Sequence, residues 1–195
     1  MRLRMKRQFA HEEEGSLSVE AVFAIPMLVW AITATFVFWD AFKTMNVSQK
    51  ATYTVADMLS REDTAIDGDY MTSIHEIYDF LAGESGDNAI RVSVVTFATN
   101  DTTNMDELQL VWSEGVNVDR YEVEDLPVIE NRLPTMALGE QIIIVESEQE
   151  WSPAFAVGLA SYRFREVALA RPRFAPQLCW DDGTGLDPVC APPTI

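Results

Sequence analysis

Three side chains in this sequence stand where their type and spacing could do chemistry: Cys179, Cys190 and Glu20. The cysteines are the only two in the chain. The stretch between them holds Asp181, Asp182, Gly183, Gly185 and Pro188, a turn-rich sequence with little apolar surface. Outside a reducing compartment such a pair reads as a disulfide, closing a loop of about a dozen residues with roughly 3 kcal/mol of loop entropy. Zinc does not fit, because no Cys-x-x-Cys pair occurs and the only histidines are His11 and His75. Glu20 stands at the edge of an uncharged run of 19 residues, Ala21 to Trp39. An ionised group beside lipid costs free energy. This acid therefore reads either as the last polar residue in headgroup water or as a group held for pairing with a positive charge.

Enzyme chemistry finds little else to work with. The sequence has no glycine-rich phosphate loop and no Gly-x-Ser-x-Gly. Past residue 11, His75 is the one histidine, so a Ser-His-Asp or Cys-His arrangement would rest on a single residue. It reads as a surface or partly packed helix side chain. Acid pairs such as Asp181-Asp182 and Glu124-Asp125 arise without purpose in so acidic a chain. Calcium in Asp67-Gly68-Asp69 or in the Asp181–Asp187 loop stays open, although neither matches the spacing of an EF-hand loop. Trp112, Trp151 and Trp180 read as core or loop anchors. The expectation is no catalytic residue, no cofactor, no bound metal and no small-molecule substrate.

The charge balance narrows the partners. Residues 21–195 hold 10 Lys or Arg against 27 Asp or Glu, so the whole net charge of −17 lies beyond Glu20. A surface this acidic repels nucleic acid and anionic lipid, and its plain reading is solubility.

The element that must position Glu20 is a membrane helix. A basic head (Arg2, Arg4, Lys6, Arg7) and an acidic patch (Glu12, Glu13, Glu14) precede it, and Asp40 closes it. At about 1.5 Å per residue, residues 21–39 cover roughly 28 Å, close to one hydrocarbon core. The positive-inside rule keeps the head cytoplasmic and sends everything after Asp40 across. Pro26 should kink or locally unwind the span. No Gly or Pro interrupts residues 31–61, and Phe38, Phe42, Met45, Gln49, Thr52, Val55 and Leu59 follow a three-four spacing. The helix is therefore expected to continue to about Arg61 and lay that stripe on a soluble domain.

The elements that hold the cysteine loop come later. A second helix is expected from Tyr70 to Ala82, stopped by Gly83. Ile90 to Ala98 and Leu108 to Ser113 read as a hairpin turned at Asn100-Asp101. A short helix broken by Pro134 is expected in Glu124–Leu138, a strand over Gln141–Glu150, and a last strand within Ala160–Ala170. The tail Arg171-Pro172-Arg173-Phe174-Ala175-Pro176 should run extended to the cysteine loop. The fold class is α+β: a long amino-terminal transmembrane helix laid across an antiparallel sheet of about four strands. The expected division is a leader over 1–15, the helix over 16–61 and an α+β domain over 62–195.

The Gly15-Ser16-Leu17-Ser18-Val19-Glu20 stretch resembles the processing site of type IV pilin-like proteins. In that family a membrane peptidase cuts after the glycine, and the fifth mature residue is Glu. The resemblance implies a cut between Gly15 and Ser16, with the Ser16 amine and the Glu20 carboxylate neutralising each other between packed subunits. With the Ile90-Arg91-Val92-Ser93-Val94-Val95 strand, the Gln141–Glu150 strand and the Arg171–Pro176 tail, most of the chain resembles the TadE/TadG family. These are pilin-like minor pseudopilins of the tight-adherence (Tad, Flp) type IVb pilus system. The family implies a single-pass bacterial inner-membrane protein with a periplasmic domain that helps assemble an adhesion pilus. Its implied partners are the inner membrane, a prepilin peptidase, other Tad pilins and pseudopilins, and platform proteins. The major Flp pilins place an aromatic after the acid, where this chain has Ala21. An uncleaved, signal-anchored periplasmic scaffold and an exported enzyme are the other function classes the sequence leaves.

Overall fold

The computed structural model describes residues 14–83, 87–100 and 104–192. The leader before residue 14 lies outside them. Its elements are helix α1 (Glu14–Leu59), helix α2 (Gly68–Ala82), strands β1 (Ala89–Thr99) and β2 (Asp106–Val116), a 3-10 turn at Val123–Asp125, helix α3 (Leu126–Glu130), and strands β3 (Gln141–Trp151) and β4 (Tyr162–Ala170). The order in the sheet is β2-β1-β3-β4, every pair antiparallel. The α+β class and the four strands agree with the sequence.

Two compact units divide the chain. One holds the chain up to Phe42 together with Pro153–Ala160; the other holds Lys43–Ser152 and Ser161 onward.

In the first unit α1 is apolar and solvent-facing. Val22, Phe23, Met27, Leu28, Trp30 and Ile32 are all more than half exposed. The helix runs through Pro26 without a break, so the proline does not unwind it.

In the second unit the rest of α1 packs on the sheet. Its buried face is Ser48, Ala51, Thr52, Val55, Ala56 and Leu59. This corrects the expected stripe: Phe38, Phe42, Met45 and Gln49 are exposed, while Thr52, Val55 and Leu59 are buried. Small and hydroxyl side chains let the helix approach closely, whereas the bulky residues turn away. Helix α2 begins where Asp67 caps it by accepting the Tyr70 N–H at 2.8 Å, and ends at Gly83 with φ of 83°. The two helices and one face of the sheet share a core that includes Tyr78, Ile74, Val92, Val94, Trp112, Ile143 and Val145.

The opposite face of the sheet is covered as well. Val95, Leu110, Ile142 and Ile144 meet Ile129, Leu126, Leu133 and Met136 from the connection between β2 and β3. Burial on both faces explains why residues 142–145 read as an unbroken apolar run rather than an alternation. The short helix expected in Glu124–Leu138 is shorter still: a 3-10 turn and the five residues of α3, which ends before Pro134. Here tertiary cover outweighs helical continuity. In β2 the register slips opposite Val94 and Val95, which leaves Val111 as an extra residue beside Trp112. Gly115 is required where the chain doubles back: a Cβ there would lie 2.3 Å from the Val118 carbonyl oxygen. The tail is non-helical as expected, but it bends over residues 173–177 instead of running straight.

Candidate membrane-anchor helix and its attachment to the sheet

Among the described residues, one helix is long and apolar enough to cross a membrane: Ser18–Leu59, with a mean hydropathy of 2.2 over its best window. Only 11% of that window is buried, which sets it apart from the core helix of a soluble domain. Gly15 and Ser16 fall in the first turns of α1, and Glu20 and Pro26 both have exposed side chains.

What holds the carboxyl-terminal part of α1 to the domain is a chain of hydroxyls. Thr52 donates to the Ser48 carbonyl at 2.8 Å, and Ser147 on β3 meets Thr52 at 2.6 Å. Ser48 in turn meets the Tyr78 hydroxyl of α2 at 2.8 Å. With the Thr52 proton committed to the Ser48 carbonyl, Ser147 donates to Thr52. All four side chains are buried to 1% exposure or less. Burial pushes the Tyr78 phenol above its ordinary pKa, and hydrogen bonding to Ser147 and Ser48 partly opposes the shift. Deeper along β3, Gln149 donates to the Ala82 carbonyl at the end of α2. These bonds join three elements at fixed positions, so they set the rotation and register of the helix as well as its affinity.

The carboxyl terminus secures the end of α1. Cys179 and Cys190 form the expected disulfide, with an S–S distance of 2.04 Å. Trp180 pairs with both Ile66 and Val189 as isolated bridges and packs on Trp112, whose indole N–H donates to the Leu178 carbonyl at 2.9 Å. Arg173 bonds through its backbone to Ser60 and through its guanidinium to Asp57, which also holds Arg61. Arg171 pairs with Glu140. Pro172 thus spaces two anchored arginines.

A charged cluster fastens the β2–β3 connection to the sheet. Arg91 of β1 bonds Glu146 of β3 through Nε at 2.9 Å and Nη2 at 2.5 Å, bonds the Asp119 carbonyl, and lies 3.5 Å above the Tyr121 ring. Arg132 and the Tyr121 hydroxyl take the other Glu146 oxygen. Burial and the nearby Glu146 charge push the Tyr121 phenol up. An open cleft of about 240 Å³ beside the cluster is lined by Val118, Glu148 and Arg165 among others. Arg91, Arg132 and Glu146 already satisfy one another, so the cluster works as a fastening. Sequence reading missed it, although an arginine inside the apolar β1 run and an acid ending the apolar β3 run signal a pair.

The remaining candidates have structural duties. His75 Nε2 lies 2.9 Å from the Asn88 carbonyl and Nδ1 lies 3.4 Å from Asp79, which ties α2 to the start of β1. Asp181 accepts from the Gly183 N–H, and Asp182 accepts from the Thr184 hydroxyl and N–H; the hydroxyl first and then the N–H hold the Asp182 carboxyl below its usual range. Among the described residues no group of three or more His, Cys, Asp or Glu is placed to hold a metal ion. Compared with known proteins, the chain matches no family model, no curated protein and no solved structure.

Proposed function

We propose that this chain is a single-pass, membrane-anchored assembly component without enzymatic activity, and specifically a minor pseudopilin of a tight-adherence pilus. The observation that carries the reading is the division of labour within α1. Its amino-terminal part is apolar and exposed, and its carboxyl-terminal part is locked into the domain core by Thr52, Val55 and Leu59. A secretion signal discarded after export has no use for such continuity, because its apolar segment is short and is cut away. In this reading the basic head stays cytoplasmic, the domain lies in the periplasm, the cut falls between Gly15 and Ser16, and Glu20 pairs with a neighbouring subunit's terminal amine. Pro26 bends the span.

Four measurements test it. Carbonate-washed membranes should retain the mature chain, and its appearance in the soluble fraction would remove the anchor. Mass spectrometry of the amino-terminal peptide should find Ser16 first; a mature chain starting at residue 1 or 2 would instead favour the uncleaved scaffold. Glu20→Ala should leave membrane insertion intact while reducing piliation. A periplasm-active phosphatase fused after Ile195 should be active, whereas a fusion active only in the cytoplasm would reverse the orientation.

A further inference from the structure

The loop between β3 and β4 does not have the composition of a surface hairpin. Connections exposed to water are rich in Gly, Asn, Asp and Ser. Here twelve consecutive residues, Trp151 to Tyr162, carry no charge, in a chain whose residues are 23% charged. The tip reads Pro153-Ala154-Phe155-Ala156-Val157-Gly158-Leu159-Ala160. Ala154, Phe155 and Ala156 face solvent, Phe155 with 52% of its surface.

The second observation is where this loop belongs. It forms one compact unit with α1 up to Phe42, apart from the strands that carry it. Along that part of α1, residues 22–32 are exposed all round. Thr33, Ala34, Val37, Asp40 and Ala41 are withdrawn from solvent, with Val37 only 1% exposed. Their three-four spacing marks one helix face. Val37 precedes Asp40 by about 5 Å of helix rise. The covered face therefore lies in the last turns of the uncharged run, at the level where a span leaves the hydrocarbon. Phe36, Trp39 and Phe42 surround it with exposed aromatic surface, the residue type that settles at a bilayer interface.

We propose that Pro153–Ala160 is a second membrane contact, inserted shallowly into the leaflet from which α1 emerges. This rests on the reading of α1 as a span. Lipid is the occupant because a span brings bilayer to that depth, and an uncharged apolar tip beside it needs no further partner there. The chain's negative charge opposes anionic headgroups, so the contact is apolar rather than electrostatic. Insertion stops at the interface: Val157 N–H bonds the Phe155 carbonyl at 2.9 Å, but an irregular loop cannot satisfy its whole backbone within hydrocarbon.

The test uses the full chain reconstituted in phosphatidylcholine vesicles, with the native disulfide left oxidised. An environment-sensitive fluorophore is attached at Phe155→Cys, at Ala156→Cys (which keeps the phenylalanine), at Phe80→Cys on α2 and at Leu28→Cys in the span. Probes at 155 and 156 should shift to the blue and be quenched more by spin labels near the headgroups than by labels deep in the acyl chains. The Phe80 probe should stay water-like, and the Leu28 probe should be quenched by the deep labels. Water-like emission at both loop positions would overturn the proposal. So would a blue shift that no spin-labelled lipid quenches, since protein would then cover the tip. A Leu28 probe that deep labels fail to quench would remove the span itself, whereas quenching at Leu28 with none at 155 or 156 removes only the loop contact.

Discussion

The Thr52 hydroxyl of α1 and the Ser147 hydroxyl of β3 lie 2.6 Å apart in a site closed to water, 95 residues distant in sequence. They join the helix to the central part of the sheet at one register. Sliding the helix by a turn would strand both groups, and a buried polar group without a partner costs ~1–3 kcal/mol.

That relationship predicts a non-additive pair. Ser147→Ala should destabilise the domain by about 1–3 kcal/mol, because it leaves Thr52 without its donor. Adding Thr52→Val should recover part of the loss, since removing both partners is far milder than removing one. Chemical denaturation of the four variants measures the coupling, and strict additivity would show that the two hydroxyls do not act together.

Cys179 and Cys190 set a second expectation. Reduction, or Cys179→Ser, should lower stability by up to about 3 kcal/mol without unfolding the domain, because the main core lies between the helices and the sheet. Trp180 fluorescence should change as its bridges to Ile66 and Val189 loosen. A melting temperature unchanged by reductant would contradict this.

Glu166 gives a pH dependence. It pairs across the sheet with Ser147, and burial raises its carboxyl above the ordinary value. Folding therefore favours the neutral acid: stability falls as pH rises from the unfolded to the folded pKa, and the penalty persists at neutral pH. Glu166→Gln should stabilise the domain at pH 7, with the gain shrinking as pH drops through the carboxylate range. Equal effects at both ends of that range would refute the assignment.

Gly115 carries a steric prediction. A methyl group there would meet the Val118 carbonyl, which is backbone and cannot swing aside. Gly115→Ala should cost on the order of 1–3 kcal/mol by overpacking, although alanine suits a strand better than glycine. Thermal melts decide between the two effects.

The long helix, the four strands and the cysteine pair were legible because each announces itself locally, through an uncharged run, an alternation or a spacing. The docked face of α1 was legible only in part, at Thr52, Val55 and Leu59. Phe38, Phe42 and Met45 draw the eye as core residues, yet the sheet takes Ser48, Thr52 and Val55, and nothing nearby in sequence shows that Ser48 and Thr52 will find Tyr78 and Ser147. The second cover of the sheet escaped for a similar reason. Residues 117–140 form little regular structure, and Ile129 and Leu126 are buried only because β1 and β3 present Val95, Ile142 and Ile144 beneath them. Glu20 and Gly15 are legible only as spacing, and the roles proposed for them rest on a bilayer and a neighbouring subunit.

The stitching between the segment just after α1 and the carboxyl-terminal tail has a mechanical consequence. Ser60 accepts the Arg173 N–H, and Ile66 bonds Cys179 on one side and Asp181 on the other. A pull along α1 would reach the tail at these points before the 60–67 connection was drawn taut. The tail is closed on itself by a covalent bond and held to Trp112 of the sheet. Tension would thus spread over β2 and the tail together. On the proposed reading of α1 as an anchor, this arrangement would let the domain bear a load without peeling from its own helix.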